Sequence, residues 1–162
     1  MNELRLALTE LTNLHRELLD ISVEKTEWIK AGNIDNLQQT LVNERQLVRK
    51  IEKAEKIRTR LVNNWVEAEG MTEPNPTITF ILEQMINETD KRELEEVAIG
   101  LTKVITELKA QEKLNLALIN QSMQFVHMSL DLMSPSLKNM NYSNTDKPST
   151  EQPNRSIFDS KA

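Results

Sequence analysis

Between Leu4 and Trp28, apolar residues return at steps of three and four: Leu4, Ala7, Leu11, Leu14, Leu18, Ile21 and Trp28, with Lys25 the one polar member of the row. A period near 3.6 residues places them on one face of an α-helix, and that face needs a neighbour to cover it. A sheet suits the rest of the chain poorly. Only 4% of residues are aromatic, while Leu, Glu, Lys, Gln, Asn and Ile recur, residues that favour helices or decorate their surfaces. The core must therefore come from Leu, Ile, Val and Met on facing helices, a seam that is long and thin. The expectation is an all-α fold: an elongated antiparallel helical hairpin or bundle with three long helices and one short helix.

Punctuation along the chain divides these helices. Ala31-Gly32-Asn33 ends the first, since glycine accepts the left-handed conformation that closes helices, and Asp35 with Gln38 reads as a capping box for the second. The second helix, about Asp35 to Ala68, carries Leu37, Leu41, Val48, Ile51, Ala54, Ile57, Leu61, Trp65 and Ala68 in a looser stripe. Pro74 and Pro76 disfavour helix for themselves and their predecessors, so the chain turns there. Thr77 then caps a short helix bearing Ile78, Ile81, Leu82, Met85 and Ile86, and Thr89 or Asp90 caps the last helix. That helix is expected from about Lys91 to Met133, roughly 65 Å long at 1.5 Å per residue.

The last helix has two regimes. Leu94, Val97, Leu101, Val104 and Leu108 form one seam, whose phase continues through Gln111, Asn115, Leu118, Ser122, Phe125, Ser129 and Leu132, now diluted by polar and small residues. Beside it a second stripe begins, Leu116, Ile119, Met123, Val126, Leu130 and Met133. The apolar arc becomes wider than a single neighbouring helix covers. Two readings follow equally from periodicity: a helix buried on several sides within a bundle, or a face for a partner's amphipathic helix, with Met123, Met128 and Met133 providing adaptable packing.

After Ser134-Pro135 the chain is rich in Ser, Asn, Asp, Lys and Pro and too poor in apolar residues to offset the entropy of ordering. The expected organisation is a helical domain at residues 1–133 and a disordered tail at 134–162. Within the tail, Ile157 and Phe158 stand among charges near the end, the composition of a short docking motif.

Catalytic chemistry finds little to work with. There is no cysteine, so thiol nucleophiles, thiolate metal sites and disulfides are excluded. His15 and His127 sit on helices outside any catalytic pattern; His127 and Asp131 lie four apart, but two ligands do not make a metal site. Gly32, Gly70 and Gly100 are isolated, so no phosphate-binding loop forms. Neither an enzyme nor a cofactor nor a bound metal is expected. A net charge of -5 argues against a general nucleic-acid binder. The six cations from Arg49 to Arg60 read as a solvated face, an RNA-binding arm being the less favoured reading because the run has no aromatic for stacking. The start, with Glu3, Glu10 and Glu17, lacks secretory-signal features, and no window has the roughly 20 apolar residues that span a bilayer. A cytoplasmic protein without stable membrane insertion is expected, its mature form the whole chain.

Three portions of the chain stand out together: Gly32-Asn33-Ile34-Asp35-Asn36-Leu37 with Glu44-Arg45-Gln46-Leu47-Val48; the amide-rich run Leu114-Asn115-Leu116-Ala117-Leu118-Ile119-Asn120-Gln121-Ser122-Met123-Gln124-Phe125-Val126; and Tyr142 with the closing Ile157-Phe158-Asp159-Ser160-Lys161-Ala162. In these portions the chain resembles the FlgN family of bacterial flagellar export chaperones. The resemblance implies a chaperone that binds the C-terminal helices of hook-filament junction (hook-associated) proteins, keeps them unpolymerised and delivers them to the type III export gate. It implies client binding by Leu116, Ile119, Met123, Val126, Leu130 and Met133, with Asn115, Asn120 and Gln121 hydrogen-bonding at the margin. It also implies export-gate docking by Tyr142 and Phe158, and a monomer when free. The principal alternative is a structural coiled-coil adaptor or self-associating bundle in which the second stripe forms a homodimer.

Overall fold

In the computed structural model the described residues are 1–142, with side chains described through Met133. They form three long helices and one short one, α1 (Asn2–Ala31), α2 (Ile34–Ala68), α3 (Ile78–Gln84) and α4 (Glu88–Tyr142), with no strand among them. The all-α expectation is met. Packing divides the chain into a compact unit Met1–Gln121 and a second unit beginning at Ser122.

Two glycines close the first two helices in the same way. Gly32 (φ 63°) and Gly70 (φ 68°) are both left-handed. At the end of α1 the amides of Gly32 and Asn33 donate to the carbonyls of Ile29 and Trp28; at the end of α2 those of Gly70 and Met71 donate to Glu67 and Val66. These paired bonds are Schellman motifs, which satisfy carbonyls that a helix end leaves open. The starts differ from the sequence reading in two of three cases. Thr77 caps α3 as expected, accepting from the Phe80 amide at 3.1 Å. For α2 the cap is Asn33, which accepts from the Asn36 amide, and for α4 it is Asn87, which accepts from Thr89 and Asp90. Each Asn precedes the residue expected from sequence and captures the free amides first.

The core of the first unit lies along α1, where Leu4, Leu8, Leu11, Leu14 and Leu18 are buried against Leu47, Ala54 and Val62 of α2, Ile81 of α3, Met85 just past it, and Leu94 and Leu101 of α4. Burying each Leu side chain contributes about 1.5–3 kcal/mol. The α4 seam through Leu94, Val97, Leu101, Val104 and Leu108 packs inward as its spacing predicts.

The α2 stripe requires correction. Leu41, Val48 and Ile57 are exposed, as is Ala68, while the inward row runs through Thr40, Leu47, Ala54, Val62 and Val66, with Glu44 and Arg58 half-buried along it. Of the expected stripe, Ala54 is in the core and Ile51, Leu61 and Trp65 pack against it; the seam keeps its three-and-four spacing but includes polar residues, so counting apolar residues alone recovers only part of it. Ile86, expected on the short helix, lies beyond it and is 95% exposed. The last helix also runs past Met133 to Tyr142, with Pro135 inside it rather than at its end. Residues 134–142 are therefore helix rather than the start of a tail, and the expectation of disorder for 143–162 falls outside the described residues.

Candidate partner-binding surface

Toward the end of α1 the apolar core gives way to polar groups. Ser22, Lys25 and Thr26 of α1, Thr40 of α2 and Asn115 of α4 are all buried. The Lys25 ammonium joins three helices, donating to Glu44 of α2 at 2.6 Å and to both carboxylate oxygens of Glu112 of α4 at 2.9 Å. Ser22 Oγ donates to Glu112, and Asn115 Nδ2 donates to Ser22 O at 2.8 Å and Ser22 Oγ at 3.1 Å. Thr26 Oγ1 donates to Asn115 Oδ1 and accepts from Gln111 Nε2. Among the described residues no buried side-chain polar atom lacks a partner, the condition under which such a layer is tolerated in a core. Burial alone would lower the Lys25 pKa, but the hydrogen bonds it donates to Glu44 and Glu112, together with their negative charges, outweigh it and hold the pKa above its ordinary value.

The same bonds fix the direction of α4. Partners on α1 and α4 are separated in sequence by 85 to 93 residues throughout the layer, and Arg5 near the start of α1 pairs with Glu93 near the start of α4. The two helices are parallel, while α1 and α2, joined by the Gly32 turn, are antiparallel. At this offset the end of α1 at Ala31 comes level with about Asn120 at 1.5 Å rise per residue.

From Leu114 onward most apolar residues of α4 are exposed, with Leu118 half-buried. In the first unit Leu114 is 46% exposed, Leu116 60% and Ile119 36%; Asn120 and Gln121 are exposed beside them. In the second unit Met123, Val126, Leu130 and Met133 are more than half exposed, and so are Phe125, Met128 and Leu132. Exposed apolar residues in such a run mark an interaction surface more often than scattered single ones do.

Asn115 parts company with the other expected site residues. It is 1% exposed and its amide is committed to Ser22 and Thr26, so it holds α4 to α1 instead of hydrogen-bonding at the margin of an open face. Met128, expected to supply adaptable packing on this face, is exposed, and Leu114, Phe125 and Leu132 join the exposed set without having been counted in the site. Their signal was present in the sequence, since Phe125 and Leu132 continue the first seam beyond the point where Gln111 and Asn115 close it. Of the two residues expected to dock on the export gate, Tyr142 closes α4, its side chain outside the described set, and Phe158 lies outside the described residues.

Other features read as ordinary surface. Arg49, Lys50, Lys53, Lys56 and Arg60 are exposed, and Arg58 pairs with Glu55 on the preceding turn at 2.7 Å. His15 Nδ1 lies 2.7 Å from the Leu11 carbonyl oxygen one turn back. Among the described residues no cluster of three His, Asp or Glu side chains is arranged to hold a metal, and no helix is long and apolar enough to cross a membrane.

Comparison with known proteins agrees with the resemblance read from sequence. The uncharacterized protein YvyG of Bacillus subtilis (strain 168) is 32% identical over 156 residues, 96% of this chain and 94% of that protein. No solved structure matches. The model of the family described as FlgN protein matches residues 1–150, a range that takes in every described helix, and the chain belongs to the FlgN family of flagellar export chaperones.

Proposed function

We propose that this protein is a cytoplasmic chaperone that binds the C-terminal helices of hook-associated proteins on α4, prevents their premature assembly and delivers them to the type III export gate. The observation that carries the reading is the uncovered apolar run on α4 beyond the buried polar layer. Leu116, Ile119, Met123, Val126, Leu130 and Met133 are the contact residues, with Asn120 and Gln121 at their margin. A client helix shielded here is kept from neighbours on which it would otherwise polymerise, by the same apolar contacts. Tyr142 and Phe158 serve the export gate.

Titration of the purified chain with the C-terminal helical segment of a hook-associated protein from the same bacterium tests this reading. Saturable binding supports it, and absence of binding sinks it. Sedimentation distinguishes a face kept for a client, which leaves the free chain monomeric, from a self-complementary face, which gives a dimer that persists on dilution. Deleting residues 141–162 should leave client binding intact and reduce secretion of the client; unchanged secretion removes the tail from the proposal.

A further inference from the structure

We propose, building on the client-binding reading, that the second unit's part of α4 takes two helices of one client at once, a helical pair in place of a single helix. At 3.6 residues per turn the exposed apolar side chains fall into two rows. Met123, Val126, Leu130 and Met133 make one; Phe125, Met128 and Leu132 make the other. Together they span on the order of 200° of the helix circumference, about twice the stripe that one packed helix requires.

The strip between the rows is suited to burial under both. It carries Ser122 and Ser129, and the Ser129 hydroxyl donates to the Phe125 carbonyl one turn back at 2.8 Å. A hydroxyl satisfied within its own helix loses no hydrogen bond when covered, and its small side chain lets two neighbouring helices approach the backbone closely. The opposite side of α4 is different in kind, with Gln124, His127 and Asp131. From Leu114 to Met133, Asp131 is the one Asp, Glu, Lys or Arg. The client's contact faces are therefore apolar and uncharged, and the helix on the Phe125 row carries a Lys or Arg where it passes Asp131, which stands one turn from Met128 of that row.

The test uses the full chain and the C-terminal helical segment of a hook-associated protein as probe, with a photo-crosslinking amino acid in place of Phe125 or of Val126. These neighbours in sequence lie on different rows. In a one-to-one complex the two positions should reach two different helical stretches of the probe, and Phe125→Asp and Val126→Asp should each weaken binding at least tenfold with helical circular dichroism unchanged. Phe125→Ser, a milder change, should weaken binding in the same direction. Crosslinks from both positions to one stretch, crosslinks from Phe125 to a second copy of this chain, or full affinity in Phe125→Asp would each overturn the two-helix proposal while leaving single-helix client binding standing. No binding by the unsubstituted chain overturns both.

Discussion

Asn115 on α4 donates its side-chain amide hydrogen to the backbone carbonyl oxygen of Ser22 on α1 at 2.8 Å, inside a core position that a heptad repeat would normally give to Leu. An apolar pair at that level would pack in several registers, whereas an amide that must meet a carbonyl and two hydroxyls accepts one. The bond therefore sets where the first unit's part of α4 stands against α1.

Replacing Asn115 with Ala removes the acceptor of the Thr26 hydroxyl and the donor to Ser22. The expected loss is about 1–3 kcal/mol of unfolding free energy, the usual cost of stranding buried polar groups. Urea denaturation of the variant measures it. Because Asn115 is not on the open face, affinity for a client should change less than twofold under conditions where the variant remains folded.

Lys25 supplies a pH dependence with a definite sign. Its folded pKa is raised above the ordinary lysine value through Glu44 and Glu112, against the opposing effect of burial, so its ion pairs contribute fully below the unfolded pKa and are lost as pH rises through the folded one. Lys25→Met should lower stability at pH 7, and the gap between the two proteins should narrow in strongly alkaline solution. Glu112 is 42% exposed at its side chain, so solvent moderates the effect to about 1–2 kcal/mol. Paired urea titrations across the alkaline range follow it.

Gly32 and Gly100 should respond to alanine in opposite directions. An added methyl group meets nothing within 4 Å at either position, but Gly32 has φ +63° and Gly100 lies within α4. Gly32→Ala is expected to destabilise by about 1–2 kcal/mol through the left-handed backbone, and Gly100→Ala to stabilise by about 0.5–1 kcal/mol through helix propensity. Thermal unfolding of the two variants, one shifted down and the other up, is the check.

Much of this was legible in the residue order, and the exceptions share a cause. The α1 core and the α4 seam as far as Leu108 follow from apolar spacing because their inward positions are nearly all apolar. In α2 the inward row includes Thr40 and half-buried Glu44 and Arg58, so apolar spacing found Ile51, Ala54, Leu61 and Trp65 but also picked Leu41, Val48 and Ile57, which face out. The polar layer announced itself through Lys25, the single polar member of the α1 stripe, and through Gln111 and Asn115 in the α4 phase. That these residues meet depends on α1 and α4 being parallel, a tertiary fact absent from either helix's own spacing. Asn33 and Asn87 escape a sequence reading because other capping types, Asp35 and Thr89 or Asp90, stand two or three residues later.

The central claim is that α4 beyond the polar layer is a surface kept for a client helix. Binding of the C-terminal segment of a hook-associated protein to the Met123→Asp/Val126→Asp double variant, with helical circular dichroism recorded on the same sample, tests it most directly. The account predicts unchanged helicity and binding weakened at least a hundredfold, since two apolar contacts are replaced by charges that a client would have to desolvate. Unchanged helicity with unchanged affinity would contradict it.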